Sequence, residues 1–190
     1  KTDVTIAHPI KIQGNVTICL TGKWIKKVDD STGSVGPVFE VPTGNNTLTL
    51  TNCTGDGRIK CDSSSGVYVS GGTLNLYSGQ IANSKGQTGT GSKKYGGGVY
   101  VNNGFFNMYG GTITENDADY GGGVYVNSGG TFEMHNNASV TGNKATNGTL
   151  NGGGVYVNGS GTFAINNSAS VSGNTANQGG GVYVDSGTVN

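Results

Sequence analysis

Apolar and polar residues alternate along this chain in short runs that recur in register. A Val-Tyr-Val core begins at Val67, Val99, Val124, Val155 and Val182. Three glycines precede the last four copies, starting at Gly96, Gly121, Gly152 and Gly179, and Gly66 alone precedes the first. Each core is followed by a second apolar run, Leu74/Leu76, Phe106/Met108, Phe132/Met134, Phe163/Ile165 and the single Val189. A third centres on Ile81, Ile113, Val140 and Val171. Period-two alternation bounded by Gly, Asn and Ser predicts three short strands per unit, and no stretch carries helical periodicity.

A three-stranded unit of this size cannot bury its apolar face alone. Stacking each strand in parallel on its counterpart one unit along buries it. The prediction is an all-β, three-sided parallel β-helix of about seven turns, right-handed by the general hand of parallel crossovers. Residues 1–36 read as an irregular N-terminal cap with the first turn, in which Trp24-Ile25 is a candidate third side and Lys26 to Gly36 an exposed loop. Residues 37–190 read as the rest of one solenoid domain, its last turn incomplete. Asn116, Asn143 and Asn174 each stand three residues after the third apolar position, as expected of a structural amide ladder at one corner. Unit length varies mainly beyond that corner, in Asp119-Tyr120, Asn177-Gln178, Thr146 to Asn151 and the stretch from Gln87 to Tyr95.

Composition alone, with 37 glycines, would suggest disorder, but the registered apolar positions argue for a packed core. Formal charge is zero overall. From Gly96 onward Lys144 is the one basic residue against Glu115, Asp117, Asp119, Glu133 and Asp185, so no basic face for nucleic acid is expected. Nothing reads as a transmembrane span or a signal peptide, and no direct membrane insertion is expected. A start at Lys1 without Met and a stop inside a unit suggest part of a longer, exported or processed polypeptide.

Cys19, Cys53 and Cys61 lie in the first two turns. Spacing allows a Cys53–Cys61 or a Cys19–Cys53 disulfide, and equally three buried thiols. Without Cys-x-x-Cys, and with His8 and His135 far apart, no metal site and no cofactor are expected.

The early Val-Thr-Ile-Cys-Leu-Thr-Gly, Leu-Thr-Leu-Thr-Asn-Cys, and the later Gly-Gly-Gly-Val-Tyr-Val, Thr-Phe-x-Met and Ser/Thr-Gly-Asn-x-Ala carry a resemblance. The chain resembles the large adhesin-like repeat proteins on the surface of gut Gram-positive bacteria, which are similar to pectate-lyase-like β-helices. A looser likeness is to the polymorphic outer-membrane autotransporters of chlamydiae. The resemblance implies the fold and an extracellular, cell-surface place, with a glycan or host surface protein as partner. It implies no particular reaction, because such families are grouped by architecture.

Asp29-Asp30 and Arg58-Ile59-Lys60 match two motifs of polygalacturonase-type hydrolases, but Asn-Thr-Asp and Gly-His-Gly are absent. Glu115 to Asp119 is dense in oxygen ligands for Ca²⁺, yet the equivalent Gly142-Asn143-Lys144-Ala145 and Gly173-Asn174-Thr175-Ala176 lack the carboxylates. The Gly runs precede no helix and no Lys-Ser/Thr, so they read as corners needing positive φ, not phosphate loops. With the valines inward, Tyr68, Tyr100, Tyr125, Tyr156 and Tyr183 should point outward as a solvent-facing ladder, itself stabilising and a candidate binding stripe. Thr112/Thr114, Ser139/Thr141 and Ser170/Ser172 resemble the arrays of ice-binding β-helices, but Gln80 and Ala82 break the row. The expectation is a non-catalytic surface module with no catalytic residues. Its alternatives are a β-helix polysaccharide lyase or hydrolase whose site is degenerate or elsewhere, and a pure spacer.

Overall fold

The computed structural model describes residues 2–28, 35–145 and 151–190. It shows a three-sided parallel β-helix. Three sheets of seven strands each form the walls, every strand pairing with its counterpart one turn away. The Tyr wall runs Ile10–Lys11, Phe39–Pro42, Val67–Ser70, Val99–Val101, Val124–Val126, Val155–Val157 and Val182–Val184. The Phe wall runs from Asn15–Cys19 through Phe105–Met108, Thr131–Met134 and Thr162–Ile165 to Thr188–Val189. The Thr wall runs from Val4–Ile6 through Trp24–Lys27, Arg58–Cys61 and Thr112–Thr114 to Ser170–Ser172.

Register follows the sequence repeat residue for residue. Val99 pairs with Val67 and Val124, and Phe106 with Leu74 and Phe132. Because side chains alternate across a strand, one apolar set from each wall points inward. Val99, Val101, Phe106, Met108 and Ile113 are fully buried, as are Val124, Phe132 and Val140 one turn on. Phe106, Phe132 and Phe163 stack face to face with centroids 4.6 and 5.1 Å apart. At the C-terminal end Ile165, Val184 and Val189 are exposed, because fewer strands cover them.

Residues of the opening segment enter the same three sheets as their first strands. Of the loop expected from Lys26 to Gly36, Lys26 and Lys27 instead belong to the strand Trp24–Lys27, with Lys26 paired to Lys60 and Lys27 buried, and residues 29–34 lie outside the described residues. Alternation continues through these lysines, so wall pairing overrides their low strand propensity. A disulfide joins Cys19 to Cys53, Cα atoms 6.2 Å apart, on the Phe-wall side of adjacent turns. Cys61 stays outside it, its buried thiol donating to the carbonyl of Gly36 at 3.3 Å.

The glycine runs divide their labour. Gly96, Gly121, Gly152 and Gly179 take φ between +57° and +68°, the conformation expected of these corners. The third glycine instead allows close approach: a Cβ on Gly123 would lie 2.6 Å from the carbonyl oxygen of Gly154 in the next turn. No helix among the described residues is long and apolar enough to cross a membrane.

Candidate functional site

The inner corner ladder forms as its spacing predicts. Asn143 Oδ1 accepts the backbone N–H of Asn116 at 3.1 Å and its side-chain amide at 2.9 Å. Asn174 Oδ1 accepts the same pair from Asn143. The Nδ2 atoms of Asn116, Asn143 and Asn174 also donate to the carbonyls of Ile81, Ile113 and Val140. Ser84 continues the ladder where the repeat has no Asn, donating its N–H to Asn116 Oδ1 and accepting the N–H of Cys61 on Oγ. These residues are structural: they tie bend backbone of one turn to the next.

On the Tyr wall the expected ladder is present, Tyr68, Tyr100, Tyr125, Tyr156 and Tyr183 pairing strand to strand. Tyr68, Tyr100 and Tyr183 keep part of the expected solvent exposure, but the middle of the ladder loses it. Tyr125 is only 6% exposed and Tyr156 7%, because a second aromatic layer covers the middle of the stripe. Tyr95 and Tyr120, each the residue before a Gly run, form that layer. They stack on each other at 5.5 Å and 16°. Tyr95 meets Tyr125 edge-on at 4.9 Å, and Tyr120 meets Tyr156 edge-on at 5.4 Å. In the following turns the equivalent bridge positions are Asn151 and Gln178, so the aromatic cover ends there. Both tyrosines fall in the corner that varies most between units, where repeat comparison carries least information.

A further ladder escaped sequence reasoning although its signal is plain. Asn102, Asn127 and Asn158 each follow a Val-Tyr-Val. Asn127 Nδ2 donates to Asn102 Oδ1 at 2.8 Å, and Asn158 Nδ2 to Asn127 Oδ1 at 3.0 Å. The same amides reach back to tyrosine hydroxyls of the previous turn, Asn102 to Tyr68 and Asn127 to Tyr100. The two hydroxyls are thus oriented. Burial first, then the neighbouring Tyr68 and Tyr95, pushes Tyr100 up to about 12 against the opposing bond from Asn127. Burial raises Tyr125 further still. Tyr156 rises to about 12 through burial and the charge of Asp185. Tyr95 is raised by burial, Tyr120 and Asp119.

Between the two layers lies an open cleft of about 250 Å³ lined by Tyr95, Tyr120, Tyr125, Tyr156 and Asn158. Its walls are aromatic rings with a single amide, a lining suited to recognition. A second outward stack, Tyr77–Tyr109–His135, runs along the Phe wall with centroids 4.8 and 5.2 Å apart, and Phe105 is 55% exposed on the same sheet.

The residues considered for other chemistry are placed differently. Glu115 accepts from Asn83 at 3.0 Å, and Asp117 pairs with Lys85 at 3.3 Å, in a corner recess of about 500 Å³. Among the described residues no three His, Cys, Asp or Glu gather as metal ligands. Arg58 lies over the ring of Trp24 at 5.1 Å. Lys60 and Lys26 both pair with Asp62, at 2.9 and 3.0 Å. Burial works to raise the Asp62 carboxyl, but the two ammonium groups outweigh it and hold it below its ordinary value. Asp29 and Asp30 lie outside the described residues. The chain matches no family model, no curated protein and no solved structure.

Proposed function

We propose that this chain is a non-catalytic, adhesin-like module of a bacterial surface protein, presenting its Tyr wall and corner loops to a glycan or a host surface protein. The observation that carries this reading is the tyrosine cleft: the part-exposed rings of Tyr95 and Tyr120 laid over the buried Tyr125 and Tyr156 on a rigid scaffold. Aromatic anchors of restricted freedom are what recognition surfaces concentrate, since ordering them on binding costs little.

The test is a binding screen against glycans and host proteins, run beside a polysaccharide-degradation assay. A Tyr95→Ser/Tyr120→Ser variant removes the outer rings and leaves the core untouched, whereas Glu115→Gln/Asp117→Asn alters the corner recess. Retention lost in the first and kept in the second is the expected result. Loss confined to the second variant moves the site to the corner. Turnover of a polysaccharide by the parent chain overturns the non-catalytic reading.

A further inference from the structure

The Phe wall carries a tyrosine pair that takes no part in the cleft. Tyr77 and Tyr109 each follow the last residue of a Phe-wall strand, Thr73–Leu76 and Phe105–Met108, and these strands pair residue for residue. Their rings stack with centroids 4.8 Å apart and planes 24° apart. One turn further His135 stacks on Tyr109 at 5.2 Å and 20°. Tyr77 is the open end of this stack and, at 51%, the one tyrosine of the chain classed as exposed.

The tyrosines of the other wall are held more tightly. Tyr125 and Tyr156 are buried, and Tyr68 and Tyr100 have their hydroxyls bonded by Asn102 and Asn127. Tyr95 and Tyr120 stack on each other, but each is also pinned edge-on against Tyr125 or Tyr156. Tyr77 and Tyr109 are therefore the stacked pair that a reagent reaches most readily and that has most room to rearrange.

The corner they occupy already carries one oxidised pair. Cys19 ends the strand Asn15–Cys19, and Cys53 lies two residues beyond Thr47–Thr51, so the disulfide sits at this corner in the two preceding turns. Disulfides persist where the surroundings are oxidising. The next two turns present phenols at the same corner.

We propose that Tyr77 and Tyr109 are a cross-linking site, coupled to dityrosine by a haem-peroxidase-class oxidant using hydrogen peroxide. Each phenol gives up one hydrogen atom and becomes a phenoxyl radical, with spin on the ring carbons ortho to its oxygen. The radicals join through one ortho carbon from each ring. Each of those carbons then loses its proton and each oxygen regains one, so both phenols are restored. Hydrogen peroxide takes up the two hydrogen atoms and becomes two waters. Strand pairing holds the two anchors about 4.8 Å apart, and the exposed Tyr77 ring has room to swing from stacked to edge-joined while His135 steadies Tyr109. The product ties two successive turns covalently, as the disulfide ties the two before them. Binding at the Tyr wall plays no part in it.

The experiment treats the dilute full chain with a haem peroxidase and limiting hydrogen peroxide, isolates the monomer by gel filtration and maps linked peptides by mass spectrometry. We expect dityrosine fluorescence in the monomer, with Tyr77–Tyr109 as its major link. Tyr77→Phe and Tyr109→Phe keep a ring in the stack but no phenolic hydrogen, and each should remove that link. Tyr95→Phe/Tyr120→Phe should leave it in place. Linked monomer should unfold at a higher denaturant concentration than unlinked monomer, because the cross-link constrains the unfolded chain. The same treatment in denaturant should give severalfold less of the link, since the rings are then no longer held one strand apart. A major link between any other pair overturns the proposal, and so does dityrosine confined to dimers. A native yield of the Tyr77–Tyr109 link no higher than the denatured one overturns it as well.

Discussion

Asn116 gives both its backbone and its side-chain N–H to one oxygen of Asn143 in the next turn, at 3.1 and 2.9 Å. A buried bend in a solenoid leaves backbone groups that no sheet can satisfy, and the repeated amide meets them from the turn below. Asn143→Ala should therefore cost about 1–3 kcal/mol, since it strands the N–H of Asn116 and the carbonyl of Ile113. Asn127→Ala, in the half-exposed outer ladder, should cost less, about 0.5–1.5 kcal/mol. Denaturant midpoints of the two variants check the order, and equal losses would refute the distinction between inner and outer ladder.

Phe132 sits between Phe106 and Phe163 in the continuous ring stack of the core. Phe132→Ala should destabilise by about 3–5 kcal/mol, because the turns above and below are fixed by their own strands and cannot collapse into the cavity. Chemical denaturation measures it, and an unchanged midpoint would contradict the inward register.

The tyrosine cluster should set the alkaline limit of stability. An unburied phenol ionises near 10. Tyr100 and Tyr156 do so at about 12, so the folded chain binds more protons than the unfolded one between these values. Their stabilisation is complete below about pH 10 and is lost as pH rises toward 12. Ultraviolet titration should show a late phase that merges into the main one in denaturant. A single phase near 10 in the native protein would count against the buried layer.

The disulfide closes a sequence separation of 34 residues between the first two turns. Reduction, or Cys19→Ser/Cys53→Ser, should remove about 2–4 kcal/mol, chiefly by freeing the unfolded chain. Hydrogen exchange should quicken first in the strand Asn15–Cys19, where half-buried side chains make local opening easiest. Uniform loss of protection along the rod would refute this localisation.

Much of the architecture was legible because every turn states it again. Val99 and Phe106 declare their facing, and five aligned copies remove the ambiguity that a single short strand would leave. Tyr125 shows where legibility ended. Alternation placed it outward, and outward it points, but its burial depends on Tyr95 and Tyr120, whose corner has no constant length. Ser84 is obscured for a related reason: it fills the ladder with a hydroxyl in place of an amide, so a change of residue type hides a shared position. The Cys19–Cys53 pairing turned on a distance between turns that spacing alone does not fix.

The strict one-to-one register of the walls has an evolutionary consequence. Excision of residues 121–151 would join Tyr120 to Gly152, and every new neighbour in the core and the inner ladder would be of the kind it replaced. Val99 would meet Val155, Phe106 would meet Phe163, and Asn116 would meet Asn174. Unequal crossing-over between such copies can therefore lengthen or shorten the rod by whole turns without a new core being invented. Reach becomes a quantity that a lineage can adjust as freely as the surface chemistry it displays.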